Sequence, residues 1–278
     1  MRADLNIYHL IFLPVLGVFV GALGTMVGIG GGFILVPVLI LLFPDAPAFT
    51  VTSISLAVVF LNAVSGSAGY LREGRVDLRS GILFAIAAIP AAVLGAIATA
   101  RVGRVAFDVA FGTLMIVGAA YLLWRSRIIK LKRVRDDWPS TNRLLLDKTD
   151  CIYRYNINEP LGMGVSAAAG AVSSFFGIGG GVIQLPAMVA LMKIPPPIAA
   201  GTSIFVLVFT ALTGVITHIV LGEFTAGWRR AGLIGFGAIV GAQIGVRIAR
   251  HVNSNMLVYG LSAAMVLLGL RQIIAALP

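Results

Sequence analysis

Apolar residues fall into long runs almost free of charge along this chain, at roughly 7–43, 50–70, 80–100, 105–124, 160–192, 198–220, 231–246 and 256–270. A bilayer core of ~30 Å takes about 20 residues of helix at ~1.5 Å per residue, so runs of this kind predict transmembrane helices. The first run reads as part of the fold and not as a cleaved leader, because it lacks a charged start and its counterpart at 160–192 is internal. Runs 7–43 and 160–192 are too long for one ordinary crossing and too short for two. Each contains the same string, Gly28-Ile29-Gly30-Gly31-Gly32 in one and Gly177-Ile178-Gly179-Gly180-Gly181 in the other. The string divides each run into a longer first arm and a short second arm. Two shapes satisfy those lengths: a U-shaped re-entrant hairpin, or a full crossing followed by a short returning helix. Both give an even count, and the three ordinary helices that follow make each half odd. Odd halves insert with opposite orientations, so an inverted-topology repeat is expected, whereas a single kinked crossing would give parallel halves. The expected fold is an all-α polytopic membrane protein of about eight apolar segments and eight to ten helices.

The duplication reaches beyond the glycine strings. Gly21 matches Gly170, Pro37 matches Pro186, and Thr52-Ser53-Ile54 matches Thr202-Ser203-Ile204. Gly66 and Gly74 match Gly214 and Gly222, and Gly95 pairs with Gly245. Segments 1–124 and 160–278 therefore read as homologous transmembrane repeats joined by a polar linker, 125–159. A duplicated apolar chain with helices interrupted at matching places is the pattern of a secondary transporter.

Composition supports the membrane reading. The 278 residues are 59% hydrophobic and 12% charged, against about 25% charged in ordinary soluble domains. A net charge of +10 would suit a nucleic-acid partner, but nine of the 21 Lys and Arg fall between Arg125 and Arg154. Clustering in one short polar segment is the positive-inside signal. The linker is thus expected in the cytoplasm of a multi-pass protein of the cytoplasmic (inner) membrane, with no nucleic-acid partner and with the lipid bilayer as surroundings. Inverted halves would put Met1 and Pro278 on the other side. Cys151, the only cysteine, can form no internal disulfide. A homo-oligomer is compatible with the sequence and not required by it.

Unwound backbone is tolerated at membrane depth only where protein buries it or it lines a watery cavity. Four glycines in five residues let the chain turn and let a ligand approach the backbone. The short helix after each string is expected to start near Phe33 or Val182, with Pro37 and Pro186 close to its beginning, where a missing N–H costs little. Its first amides lack intrahelical partners and carry the positive end of the helix dipole. That arrangement binds an oxyanion without a buried cation. Gly28, Gly30, Gly31, Gly32, Gly177, Gly179, Gly180 and Gly181 are therefore the candidate backbone of a substrate site. Thr52, Ser53, Thr202 and Ser203 are expected at helix starts, where hydroxyls cap the helix and can also donate to an anion. Thr25, Asn62, Ser173, Ser174, Thr210, Thr213 and Gln243 are further polar groups within the spans. Gln184 stands out, because its counterpart in the first half is Leu35, and a polar residue present in one copy only suggests substrate discrimination. Gly17/Gly21, Gly24/Gly28 and Gly241/Gly245 suit helix packing as small-xxx-small pairs, and Gly241→Ala is expected to be mild.

No Asp or Glu lies in the middle of a span, which leaves a carboxylate proton relay without a candidate. Arg247, His218 and His251 sit near segment ends and are expected to face the interface. Three histidines, one cysteine and no intramembrane acid assemble no catalytic triad or metal site, so neither an enzyme nor a cofactor is expected. Gly-Ile-Gly-Gly-Gly with Pro five residues after it, present in both halves, together with Gly201-Thr202-Ser203-Ile204 and the basic middle linker, resembles the sulfite exporter TauE/SafE family of membrane permeases. The first half departs from the family's pattern, with Val51 where the second half has Gly201. The resemblance covers about 8–124 and 160–275. It implies movement of small sulfur-containing anions such as sulfite, organosulfonates or sulfoacetate. A passive anion channel and a non-transporting membrane scaffold are the rival readings.

Overall fold

A computed structural model describes residues 7–44, 46–128, 141–148, 151–222, 227–249 and 254–276. Both termini and the middle of the linker, on which the expected placement of Met1 and Pro278 turns, lie outside the described residues. Among those described are ten helices: α1 (Ile7–Val27), α2 (Gly32–Leu42), α3 (Ala48–Arg72), α4 (Leu78–Ala100), α5 (Arg104–Ile128), α6 (Glu159–Phe176), α7 (Gly181–Ala190), α8 (Pro196–Val220), α9 (Trp228–Ile248) and α10 (Ser254–Ala276). The runs 7–43 and 160–192 are the broken pairs α1–α2 and α6–α7. Five helices, α1, α3, α4, α8 and α9, are long and apolar enough to cross a membrane. The expected all-helical architecture holds, with one addition. The linker carries an antiparallel hairpin, β1 (Thr141–Leu146) and β2 (Ile152–Ile157), in register from Thr141 opposite Ile157 to Leu146 opposite Ile152. Alternating Tyr153, Tyr155 and Ile157 turn one face of β2 inward against Phe84, Met188, Met192 and Ile198, and that alternation is the signal in the sequence that an all-helical reading passes over.

The two halves are entwined. The first helix of each half packs most extensively on the fourth helix of the other, α1 on α9 and α6 on α4. Helices α1 and α9 run parallel, with Gly237 against Pro14, Gly241 against Val18 and Gly245 against Ala22. The equivalent seam brings Gly170 against Ala88 and Gly95 against Ala171. Helices α3 and α8 cross in opposite directions, with Gly66 beside Ile204 and Gly214 beside Leu56. Helix α5 meets α10 in the same antiparallel sense, Gly112 at Ile273 and Gly118 at Met265. Phe107, Phe111, Phe175 and Phe176 form a ring cluster with centroids 4.6–6.1 Å apart that ties α5 to the end of α6.

This packing revises the expectation for Gly241. A Cβ there would fall on the carbonyl of Val18 and lie 2.8 Å from Ala22 N, and neither is a flexible side-chain end. Overpacking of this kind costs about 1–3 kcal/mol. Gly241→Ala is therefore expected to lower the thermal midpoint of the purified protein markedly. Exposed Gly232, with nothing within 4 Å of its missing Cβ, supplies the harmless control as Gly232→Ala.

Candidate functional site

The two glycine strings form matching crossovers. Gly28, Gly30 and Gly31 have φ of 81°, 91° and 79°, and Gly177, Gly179 and Gly180 have 72°, 81° and 63°. This left-handed region strains any residue with a Cβ and is open to glycine. Gly31 and Gly180 are the N-caps of α2 and α7, and no side chain caps either helix. Pro37 and Pro186 sit at the sixth position of those helices, not at the beginning as expected. They fall past the free first turn, where proline removes a bond the helix would otherwise make.

The crossovers touch. A Cβ on Gly32 would lie 2.7 Å from Gly177 O and from Ile178 O, and one on Gly181 would lie 2.6 Å from Ile29 O. Gly30 and Gly179 both face the Val59 and Leu207 side chains, on α3 and α8. Gly30 and Gly179 thus lie at the α3–α8 crossing and Gly32 and Gly181 at the contact between the crossovers, whereas Gly28, Gly31, Gly177 and Gly180 face Ala200, Val20, Thr52 and Ser173.

The hydroxyls behave otherwise than expected. The N-caps of α3 and α8 are Pro47 and Pro195, so Thr52, Ser53, Thr202 and Ser203 lie a turn or more inside their helices and cap nothing. Thr52 Oγ1 donates to Ala48 O at 2.9 Å and Ser53 Oγ to Thr50 O at 3.0 Å. Thr202 Oγ1 accepts the backbone N–H of Asp77 at 3.0 Å. Ser203 Oγ is buried and has no hydrogen-bond partner. Nor are the two Thr-Ser-Ile triplets structural equivalents. Gly28 packs on Ala200 where Gly177 packs on Thr52, and the left-handed turns at Gly74 and Gly222 end α3 and α8 alike. In space Thr52 thus corresponds to Ala200, Ser55 to Ser203, Asn62 to Thr210 and Tyr70 to His218. The triplets match in sequence two residues out of register, because short identical strings outscore the helix ends that fix the alignment.

Corrected register reveals the groups that hold the first crossover. Thr25 Oγ1 donates to Asn62 Oδ1 at 3.0 Å, Asn62 Nδ2 donates to Gly30 O at 3.3 Å, and Tyr70 Oη donates to Thr25 O at 2.9 Å. Ser55 Oγ donates to Gly177 O at 2.6 Å and ties the second crossover to α3. Gln184 is buried, and its Nε2 donates to Ser166 Oγ on α6 at 3.2 Å. His218, expected at the interface, is fully buried at the end of α8. His251 lies outside the described residues.

A second polar cluster joins the hairpin to the α3–α4 connection. Asp77 caps α4, accepting from Ser80 N at 3.1 Å and Ser80 Oγ at 2.7 Å. Its Oδ2 also accepts from Tyr155 Oη at 3.1 Å and lies 3.6 Å from Arg143 Nε. Arg143 reaches Glu159 at 2.5 Å, and Arg75 reaches Asp147 at 2.6 Å. Burial, then the neighbouring Asp77 charge, push the Tyr155 phenol far above its ordinary 10.0, so it stays a donor. A phenol raised in the fold contributes stability that is complete below pH 10 and lost as pH climbs above it. Tyr155→Phe is accordingly expected to cost about 1–2 kcal/mol at neutral pH and to flatten the alkaline fall in thermal midpoint. No group of three His, Cys, Asp or Glu suited to a metal occurs among the described residues.

The sulfite exporter TauE/SafE family model matches residues 13–272. The chain is 28% identical over 269 residues to the probable membrane transporter protein YunE of Bacillus subtilis, covering 95% of this chain and 97% of that one. It is 25% identical to the probable membrane transporter protein MJ0441 of Methanocaldococcus jannaschii, over 97% and 98% of the two chains. A probable membrane transporter protein of Xylella fastidiosa is 26% identical over 84% of this chain and 82% of its own. No solved structure matches.

Proposed function

The chain belongs to the sulfite exporter TauE/SafE family, and we propose that it is a secondary transporter of a small sulfur-containing oxyanion, of sulfite, organosulfonate or sulfoacetate type, in the cytoplasmic membrane. One observation carries the reading: two glycine crossovers, each opening a short helix, meet at the crossing of the two long helices α3 and α8. Helix starts offer amides and a positive dipole end to an anion, with no buried cation needed. Broken helices of equivalent position at a repeat interface are how many carriers build their substrate site.

The entwined packing sets how alternating access would proceed. The sequence halves cannot rock as separate bodies, because α1 is seated on α9 and α6 on α4. The moving units are instead α1 with α3 and α9, and α6 with α8 and α4. They tilt about the α3–α8 crossing, where the crossovers lie. Proteoliposome flux with sulfite, sulfate and methanesulfonate tests this. Saturable flux with counterflow is expected, whereas unsaturable, uncoupled flux identifies a channel. Absence of flux for every anion leaves a scaffold.

Inverted halves are part of the proposal, supported by the antiparallel crossing of the equivalent helices α3 and α8. Single cysteines at Arg72 and Leu221, both exposed beside the equivalent turns, are expected to label from opposite sides of the membrane in a Cys151→Ser background. Labelling from one side contradicts inversion.

A further inference from the structure

We propose that one oxyanion is held by the second crossover alone, by the Val182 amide in the first turn of α7 together with Ser173 Oγ, and that the first crossover is its closed structural counterpart. The proposal rests on the anion-carrier reading and narrows its site. The seam where the crossovers touch is lined by carbonyl oxygens, Ile29 O, Gly177 O and Ile178 O. Carbonyl oxygens repel an anion, so it sits to one side of the seam, at a helix start.

The two helix starts differ in a way the repeat conceals. In the first half, Gly24 of α1 lies so close to the turn that a Cβ would fall on Gly31 N, and a Cβ on Gly31 would meet Val20 O at 2.7 Å. That junction is shut backbone to backbone, and Asn62 ties it further through Thr25 Oγ1 and Gly30 O. In the second half, Ser173 stands where Gly24 stands. A Cβ on Gly180 would meet only Ser173 Cβ at 3.2 Å, Ala169 O at 3.3 Å and Ser173 Oγ at 3.4 Å. Thr210, in the place of Asn62, donates to Leu207 O on its own helix at 3.3 Å and spans nothing. The α6–α7 junction is therefore the looser of the two.

Ser173 is fully buried, and its hydroxyl has no hydrogen-bond partner. It lies against the N-cap of a ten-residue helix in which Gly181 N donates to Gly179 O and Ile183 N and Gln184 N donate to Gly180 O, leaving the Val182 amide of the first turn without a backbone acceptor. Neighbouring Ser174, likewise buried and unpartnered, faces Gly214 on α8. Buried hydroxyls without partners are rare because each forfeits its hydration. A trigonal or tetrahedral oxyanion at the α7 start supplies the missing acceptor, taking the Val182 N–H on one side and Ser173 O–H on the other. A sulfonate or sulfite headgroup presents three such oxygens.

Calorimetric titration of the purified full chain with sulfite, sulfate and methanesulfonate tests the assignment. One anion per chain is expected, with Ser173→Ala weakening binding about tenfold, the worth of one hydrogen bond to a charged group. Ser173→Thr, which keeps the hydroxyl, is expected to restore most of it. Asn62→Leu is expected to lower the thermal midpoint while leaving Kd within about threefold, since it unties the closed crossover only. Two anions per chain, or unchanged affinity in Ser173→Ala, overturns the inference and leaves the carrier reading intact. So does Asn62→Leu that weakens binding as much as Ser173→Ala. A wild type that neither binds nor moves any of the three anions refutes the carrier reading and this inference with it. Should Ser173→Ala fail to fold, Ser173→Cys in a Cys151→Ser chain takes its place. Methanesulfonate is expected to slow alkylation of Cys at this position, and alkylation unslowed under conditions where the wild type binds methanesulfonate overturns the site.

Discussion

Gly179→Val is expected to abolish anion flux in proteoliposomes while the protein still inserts and elutes as a folded species. Two costs combine. At φ 81° an L-residue pays about 1–2 kcal/mol, and a β-branched one more. Its Cβ would also stand 2.7 Å from Val59 Cγ1 and 3.1 Å from Leu207 Cδ1, so the side chains that α3 and α8 bring together at their crossing must repack to admit it. Gly30→Val meets the same two side chains from the other crossover and is expected to behave alike. Flux above a tenth of the wild-type rate in Gly179→Val, with Gly232→Ala as the undisturbed reference, means that the crossovers do not govern transport.

Asp77→Ala is expected to be the most damaging change outside the crossovers, and to act on stability. The carboxylate caps α4, accepts from Tyr155 and lies against Arg143. Asp77 is only 4% exposed. Removing one partner of a buried ionic cluster costs about 3–5 kcal/mol, because the remaining charge stays buried without compensation, and loss of the cap adds about 1 kcal/mol. The hairpin would then be held mainly by Arg75–Asp147 and Arg143–Glu159. A sharp fall in thermal midpoint and faster proteolysis between β1 and β2 are expected. Unchanged values for both would show that Asp77 does not hold the hairpin in place.

Much of the geometry of the candidate site was legible because glycine is informative where a helix must break. Four glycines in five residues inside an apolar run have few explanations, and the two strings do form touching crossovers, with Gly30 and Gly179 at the α3–α8 crossing. Gly17, Gly21, Gly241 and Gly245 likewise read correctly as packing positions, although the severity of Gly241→Ala did not. Sequence spacing shows that a residue is small, not that a carbonyl stands where its Cβ would be. The hydroxyl triplets misled for a related reason. Thr52-Ser53-Ile54 and Thr202-Ser203-Ile204 align as strings, but helix register is set by Tyr70, Gly74, His218 and Gly222 at the far ends. Asn62, Tyr70 and Ser55 carry no motif and act through contacts 32 to 122 residues away in sequence.

By itself the sequence determined what local and periodic chemistry can determine. Uninterrupted apolar runs demand helices in a bilayer, because backbone polar groups have no other partners there. Paired glycine strings demand two breaks, and the duplication demands two similar halves. Tertiary structure alone decided how those halves interlock, which helix lies on which, and that Gly24 meets its turn backbone to backbone where Ser173 meets the other turn less closely. The runs are apolar on every side, so no amphipathic stripe announces which face meets which neighbour. In such a chain the partners are chosen by close approach of small residues and by single buried hydrogen bonds, and both exist only once the helices have met.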